Sequence, residues 1–166
     1  MTDSAVLDIL KQAILLEKRG YAFYRQAADQ AQGPAIKEFF DMMAREETTH
    51  AAILVEQYKG YRESGHFSAA AYDRQSENVS SAVLSQELKD KISAAGFEAA
   101  AISAAMAMEQ RAISLYSQRA RETDDTGEKA LYQWLADWEG DHLHWLSDLD
   151  RELTEKVWND NQFWPF

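Results

Sequence analysis

The sequence predicts an all-α bundle of four long helices, with one long crossover between the second and third. Three observations carry that expectation. The 166 residues include only two prolines and seven glycines, which suits long helices better than a turn-rich β fold. Apolar side chains recur at alternating spacings of three and four over four separate stretches, the period of a helix with one buried face. The chain also repeats itself. Glu17 and Glu109, Tyr24 and Tyr116, Glu47 and Glu139, and His50 and His142 are each 92 positions apart. Residues 1–166 therefore read as a single domain of two helical hairpins, about 4–62 and 97–157. A crossover over about 63–96 joins them, and an aromatic tail, 158–166, follows. A chain of this length can bury a sizeable core.

Thr2, Asp3 and Ser4 offer caps for the first helix. Leu7, Leu10, Ile14, Glu17, Tyr21, Tyr24 and Ala28 follow at bundle spacing, with Glu17 in the middle of the apolar line. A buried carboxylate needs a proton, a partner or a metal. Gly33-Pro34 ends this helix and opens the next, because proline suits the first helical position. The second helix, from Pro34 to about Arg62, carries Ile36, Phe40, Met43, Glu47, His50, Leu54 and Gln57 on one line. Glu46 is also four residues from His50. The repeat decides between the two: Glu47 corresponds to Glu139, whereas Glu46 corresponds to Trp138, so Glu46 is read as flanking.

Residues 63–96 are rich in Ser, Ala, Asn and Gln and show no clear period, apart from a short helical stretch at Ser85–Ile92. A connection this long is unusual in a compact domain, but a bundle with a crossover between its halves requires one. His66 lies here, off any apolar line, and reads as surface. The third helix, about Phe97–Arg121, places Ile102, Ala105, Glu109, Ala112 and Tyr116 on its buried line. Asp125 and Glu128 form a capping-box pattern at the start of the fourth. Its buried line is Leu131, Leu135, Trp138, Glu139, His142, Leu146, Leu149 and Leu153. His144 faces elsewhere, and the aromatic tail reads as a packing element.

Composition removes several classes of function. The net charge of −11 disfavours nucleic acid as a partner, since phosphate binding needs clustered Lys and Arg. With no cysteine, disulfides, thiolate metal sites and cysteine catalysis are absent. Met1–Leu10 lacks the basic start and apolar core of a secretory signal. The longest uncharged apolar run, Ala99–Met108, is too short to span a bilayer. These features lead us to expect a soluble cytoplasmic protein with no membrane partner.

If four helices form one bundle, the mid-helix residues Glu17, Glu47, His50, Glu109, Glu139 and His142 converge on its axis. Glu47 and His50, like Glu139 and His142, are three apart and share a helix face. Four ionised glutamates in an apolar core repel one another, and two divalent cations would balance their four negative charges. Carboxylate with imidazole suits iron, with manganese or zinc as substitutes. The expected pattern has Glu47 and Glu139 bridging two metal ions, Glu17 and Glu109 as terminal ligands, and one histidine on each ion. Tyr24 and Tyr116 lie two turns from their glutamates, where each hydroxyl can donate to a ligating carboxylate of a facing helix.

At these residues the chain resembles the ferritin-like superfamily, most closely its rubrerythrin and bacterioferritin branch. The resemblance rests on Glu17 to Tyr24, Glu47-Thr48-Thr49-His50, Glu109 to Tyr116, Glu139-Gly140-Asp141-His142, and the text Met108-Glu109-Gln110-Arg111-Ala112-Ile113. It covers the four helices and leaves out residues 63–96 and the tail. The ligand set is the one described generally for ferritin-like carboxylate bundles. The resemblance implies a ferritin-like fold with two iron ions, reacting with hydrogen peroxide or dioxygen, and a homodimer.

Two departures refine it. Rubrerythrins typically carry a rubredoxin-like domain with iron on four cysteines. Without cysteine here, electrons would come from a separate electron-donor protein. Rubrerythrins also carry an extra glutamate near the third-helix ligand, where this chain has Met106, Ala112 and Ile113. The ligand set is therefore expected to be symmetric, as in bacterioferritins. The leading expectation is a rubrerythrin-like peroxide reductase (an oxidoreductase). The alternatives are a ferroxidase or iron-handling protein and, in another class, a non-enzymatic, metal-stabilised interaction module.

Overall fold

The computed structural model describes residues 3–68 and 96–160, and these residues form four long helices with no strand among them. Helix α1 spans Asp3–Gln30 and α2 spans Pro34–Ser64. Helix α3 spans Phe97–Glu122 and α4 spans Thr126–Asp160. The all-α, ferritin-like bundle expected from the sequence is what forms. Most of the crossover, with the helical stretch at Ser85–Ile92, lies outside the described residues, as do residues 161–166 of the tail.

Local chemistry sets the helix ends. Pro34 opens α2, and Gly65 closes it with φ of 73°, a left-handed conformation that glycine adopts without strain. The Gly65 N–H donates to the Tyr61 carbonyl at 2.8 Å. Asp125 Oδ1 accepts the Glu128 N–H at 2.8 Å and so caps α4. The reciprocal half of a capping box does not form. The Glu128 carboxylate instead takes hydrogen bonds from the Arg119 guanidinium at 2.7 Å and the Thr123 hydroxyl at 2.5 Å. Both charges are almost wholly buried, so this pair clasps the α3–α4 corner.

The helices pack most closely within the two hairpins, α1 on α2 and α3 on α4. The buried lines predicted for α2, α3 and α4 are all buried. On α1 the buried line is Val6, Leu10, Ala13, Glu17, Gly20, Tyr24, Ala27 and Ala28. Of the residues that the spacing placed on that line, Leu7 and Ile14 are only partly buried and Tyr21 is 44% exposed. Gly20 takes its place because a carboxylate from α2 needs the room.

The apolar core falls into two clusters. One gathers Tyr24, Phe39, Phe40, Met43, Ile102, Leu146 and Leu149 toward one end of the bundle. The other gathers Leu10, Leu54, Tyr116, Leu131, Leu135 and Trp138 toward the opposite end. Between them, in sequence and in space, lie the buried glutamates and histidines.

Candidate metal centre

The fold brings Glu17, Glu47, His50, Glu109, Glu139 and His142 together, each almost fully buried. They come from all four helices, at mid-length. Two ligand groups result: Glu17, Glu47, His50 and Glu139, and then Glu47, Glu109, Glu139 and His142. In each group the ligand atoms lie within 4.8 Å of one another. Glu47 and Glu139 belong to both groups, so these two carboxylates are within reach of both positions.

The imidazoles face this cluster through Nδ1. His50 Nδ1 lies 3.2 Å from Glu17 Oε2 and 3.1 Å from Glu139 Oε1. His142 Nδ1 lies 2.9 Å from Glu139 Oε2, 3.6 Å from Glu47 and 3.7 Å from Glu109. The two rings stack with centroids 5.6 Å apart. Each tyrosine hydroxyl reaches across the bundle: Tyr24 donates to Glu109 Oε1 and Tyr116 to Glu17 Oε1. The exchange is reciprocal between α1 and α3, as the repeat implies.

A family model for rubrerythrin matches residues 8–150. The chain belongs to the rubrerythrin family. Searches of curated proteins and of solved structures give no match.

Members of the rubrerythrin family typically bind iron, and the cluster in this member is chemically suited to metal ions. The fit shows in the atoms that go unused. Glu47 Oε1 is buried with no hydrogen-bond partner among the described residues, and the Glu139 oxygens have only the two imidazoles beside them. Buried polar atoms are ordinarily partnered, so lone pairs converging on shared space point to cations.

Electrostatics agree. Burial pushes Glu47 well above the ordinary carboxylate range, and repulsion from Glu139, Glu17 and Glu109 adds to it. Glu109 is pushed up to about 7, by burial first and then by Glu139. Burial would also raise Glu139, but the two imidazoles outweigh it and hold its carboxyl well below the usual range. His50 rises to about 9: burial opposes its charge, and Glu139 and Glu17 prevail. With side chains alone, protons therefore supply the positive charge that this family takes from metal.

Two residues of the site were not anticipated. Gly20 faces Glu47 so closely that an added Cβ would stand 2.8 Å from Glu47 Oε2. Its counterpart 92 positions on is Ala112, so the hint was a small residue at both places. Glu46, read as flanking, is also part of the assembly. Its Oε2 accepts the Trp138 indole N–H at 2.8 Å and His142 Nε2–H at 2.5 Å. Burial would raise its carboxyl, but these bonds outweigh burial and lower it. The two carboxylate–imidazole groups match each other in composition, and the residues around them do not. His66 and His144 lie on the surface, as expected.

No helix among the described residues is long and apolar enough to cross a membrane.

Proposed function

We propose that this protein is a di-iron peroxide reductase that takes its electrons from a separate donor protein. The observation that carries the reading is the sharing of Glu47 and Glu139 between two complete carboxylate–imidazole groups. Glu17 and His50 would hold one ion and Glu109 and His142 the other, with Glu47 and Glu139 on both. Bound there, a ferrous pair supplies two electrons, which with two protons reduce one hydrogen peroxide to two water molecules.

The chain's own residues supply the setting. Tyr24 and Tyr116 hold the outer carboxylates Glu109 and Glu17 in place through their hydroxyls. Apolar side chains close the core at both ends and keep bulk water away. This sequence has no cysteine to hold a second iron site for electron delivery, which supports an external donor.

One observation favours a second reading, iron oxidation and handling. Each group is balanced, with three carboxylates and one imidazole, and among the described residues no further carboxylate joins either one. The experiment is peroxide consumption by iron-loaded protein, with and without a reducing donor. Consumption that requires the donor, at one peroxide per two electrons, is expected. Ferrous oxidation that proceeds alike without any donor would replace the reductase with a ferroxidase. Bound metal indifferent to peroxide and dioxygen would leave a non-enzymatic module.

A further inference from the structure

We infer that Glu46 is a positioning residue that makes the two metal positions unequal, with the His142 position the tighter. The inference rests on the metal-binding part of the reading above and not on its redox part.

Among the positions of this layer where the repeat breaks, one pair meets a histidine. Glu46 and Trp138 are 92 apart, so each stands where the other half has its counterpart. They also touch, through the 2.8 Å hydrogen bond from the indole. The consequence for the histidines differs. A histidine that binds metal through Nδ1 must carry its proton on Nε2, and a carboxylate accepting that proton fixes both tautomer and ring orientation. His142 has such an acceptor in Glu46, at 2.5 Å. Its Nδ1 then faces Glu139 at 2.9 Å, with Glu47 and Glu109 farther off.

His50 has no equivalent. Its Nε2 is buried with no hydrogen-bond partner among the described residues. The ring lies edge-on to two indoles, Trp138 with centroids 5.1 Å apart and Trp134 at 5.7 Å. An indole N–H is a donor only and cannot take the His50 proton. Binding metal through His50 Nδ1 therefore leaves a buried N–H without a carboxylate acceptor, which weakens that position. The carboxylates within reach of His50 lie on its Nδ1 side, where Nδ1–H can donate to Glu17 or Glu139.

The test is cobalt(II) titration of metal-stripped full-length protein against a competing chelator, following visible absorption and bound stoichiometry. Wild type should load in two resolved steps. His50→Ala should keep the tight step and His142→Ala should lose it. Glu46→Ala should weaken the tight step by about 10- to 100-fold. Glu46→Gln keeps a neutral acceptor and should recover part of that loss. Helix content is checked by circular dichroism, and if Glu46→Ala misfolds, the Gln variant carries the comparison alone. Two cobalt ions bound with equal affinity in wild type would overturn the inference while leaving the metal site standing. So would a tight step unmoved in both Glu46 variants. No cobalt uptake by wild type would remove the metal site and the inference together.

Discussion

Glu139 is a side chain that both halves of the cluster share. It lies between the two imidazoles and belongs to both ligand groups, whereas His142 belongs to one. Glu139→Ala should therefore lose more metal than His142→Ala, and elemental analysis of the two purified variants checks the order. Equal metal in wild type and Glu139→Ala would contradict the arrangement. Gly20 acts by what it lacks. In Gly20→Ala the new methyl meets the Glu47 carboxylate, and overpacking of this kind destabilises by about 1–3 kcal/mol. We expect a lower unfolding midpoint and weaker metal retention, measured by thermal melts and chelator competition. A variant as stable and as metal-replete as wild type would show that Glu47 has room to spare.

At the scale of elements, the α3–α4 corner holds a buried ion pair whose partners are only nine positions apart, Arg119 and Glu128. Removing one partner of such a pair leaves an uncompensated charge, which typically destabilises by about 3–5 kcal/mol. Glu128→Ala should accordingly unfold at markedly lower denaturant, with the slope of the transition retained. The sequence made three of the four helix faces legible, because a three–four spacing of large apolar residues has only one good register on α2, α3 and α4. It misjudged α1 at Leu7, Ile14 and Tyr21, where the preceding residues Val6, Ala13 and Gly20 are the buried ones. At Gly20 facing chemistry overrode hydrophobicity, since a carboxylate arriving from another helix selects the smallest residue. The clustering of the glutamates and histidines was legible for a different reason: residues duplicated at a common offset come together on the bundle axis. Glu46 was hidden by that same logic. Its role depends on which atom of His142 faces it across the bundle, and a rule that trusts repetition discards the residue that breaks it. The capping box was half right, because Glu128 found a stronger partner in the guanidinium than in the backbone.

Taken whole, the molecule carries a charged layer between two apolar ends, and pH acts on that layer. His50, raised from 6.5 to about 9, favours the folded state fully below about 6.5 and ceases to as pH rises through about 9. Glu109, raised from 4.5 to about 7, likewise favours folding below about 4.5 and loses that contribution as pH passes about 7. Both shifts make the metal-stripped protein less stable with rising pH. Metal needs unprotonated ligands, so its binding strengthens over the same range and releases protons. The gap in melting temperature between metal-loaded and stripped protein should therefore widen from about pH 6 to about pH 9. Paired thermal scans check this, and a gap that is flat or narrows would contradict it. Stripped protein should keep its helix content at neutral pH, because the apolar clusters do not depend on the ions.

The same division of the core bears on how an ion would be chosen. A zinc finger can reject a poor ion by failing to fold around it. Here the helices are packed from both ends, so the cage walls stand before any ion arrives and shape offers little veto. First-row divalent ions then compete by intrinsic affinity, an order in which copper and zinc outrank iron. The identity of the resident metal would be decided by what the surroundings supply. Mismetallation, rather than unfolding, would be the characteristic way for this protein to fail.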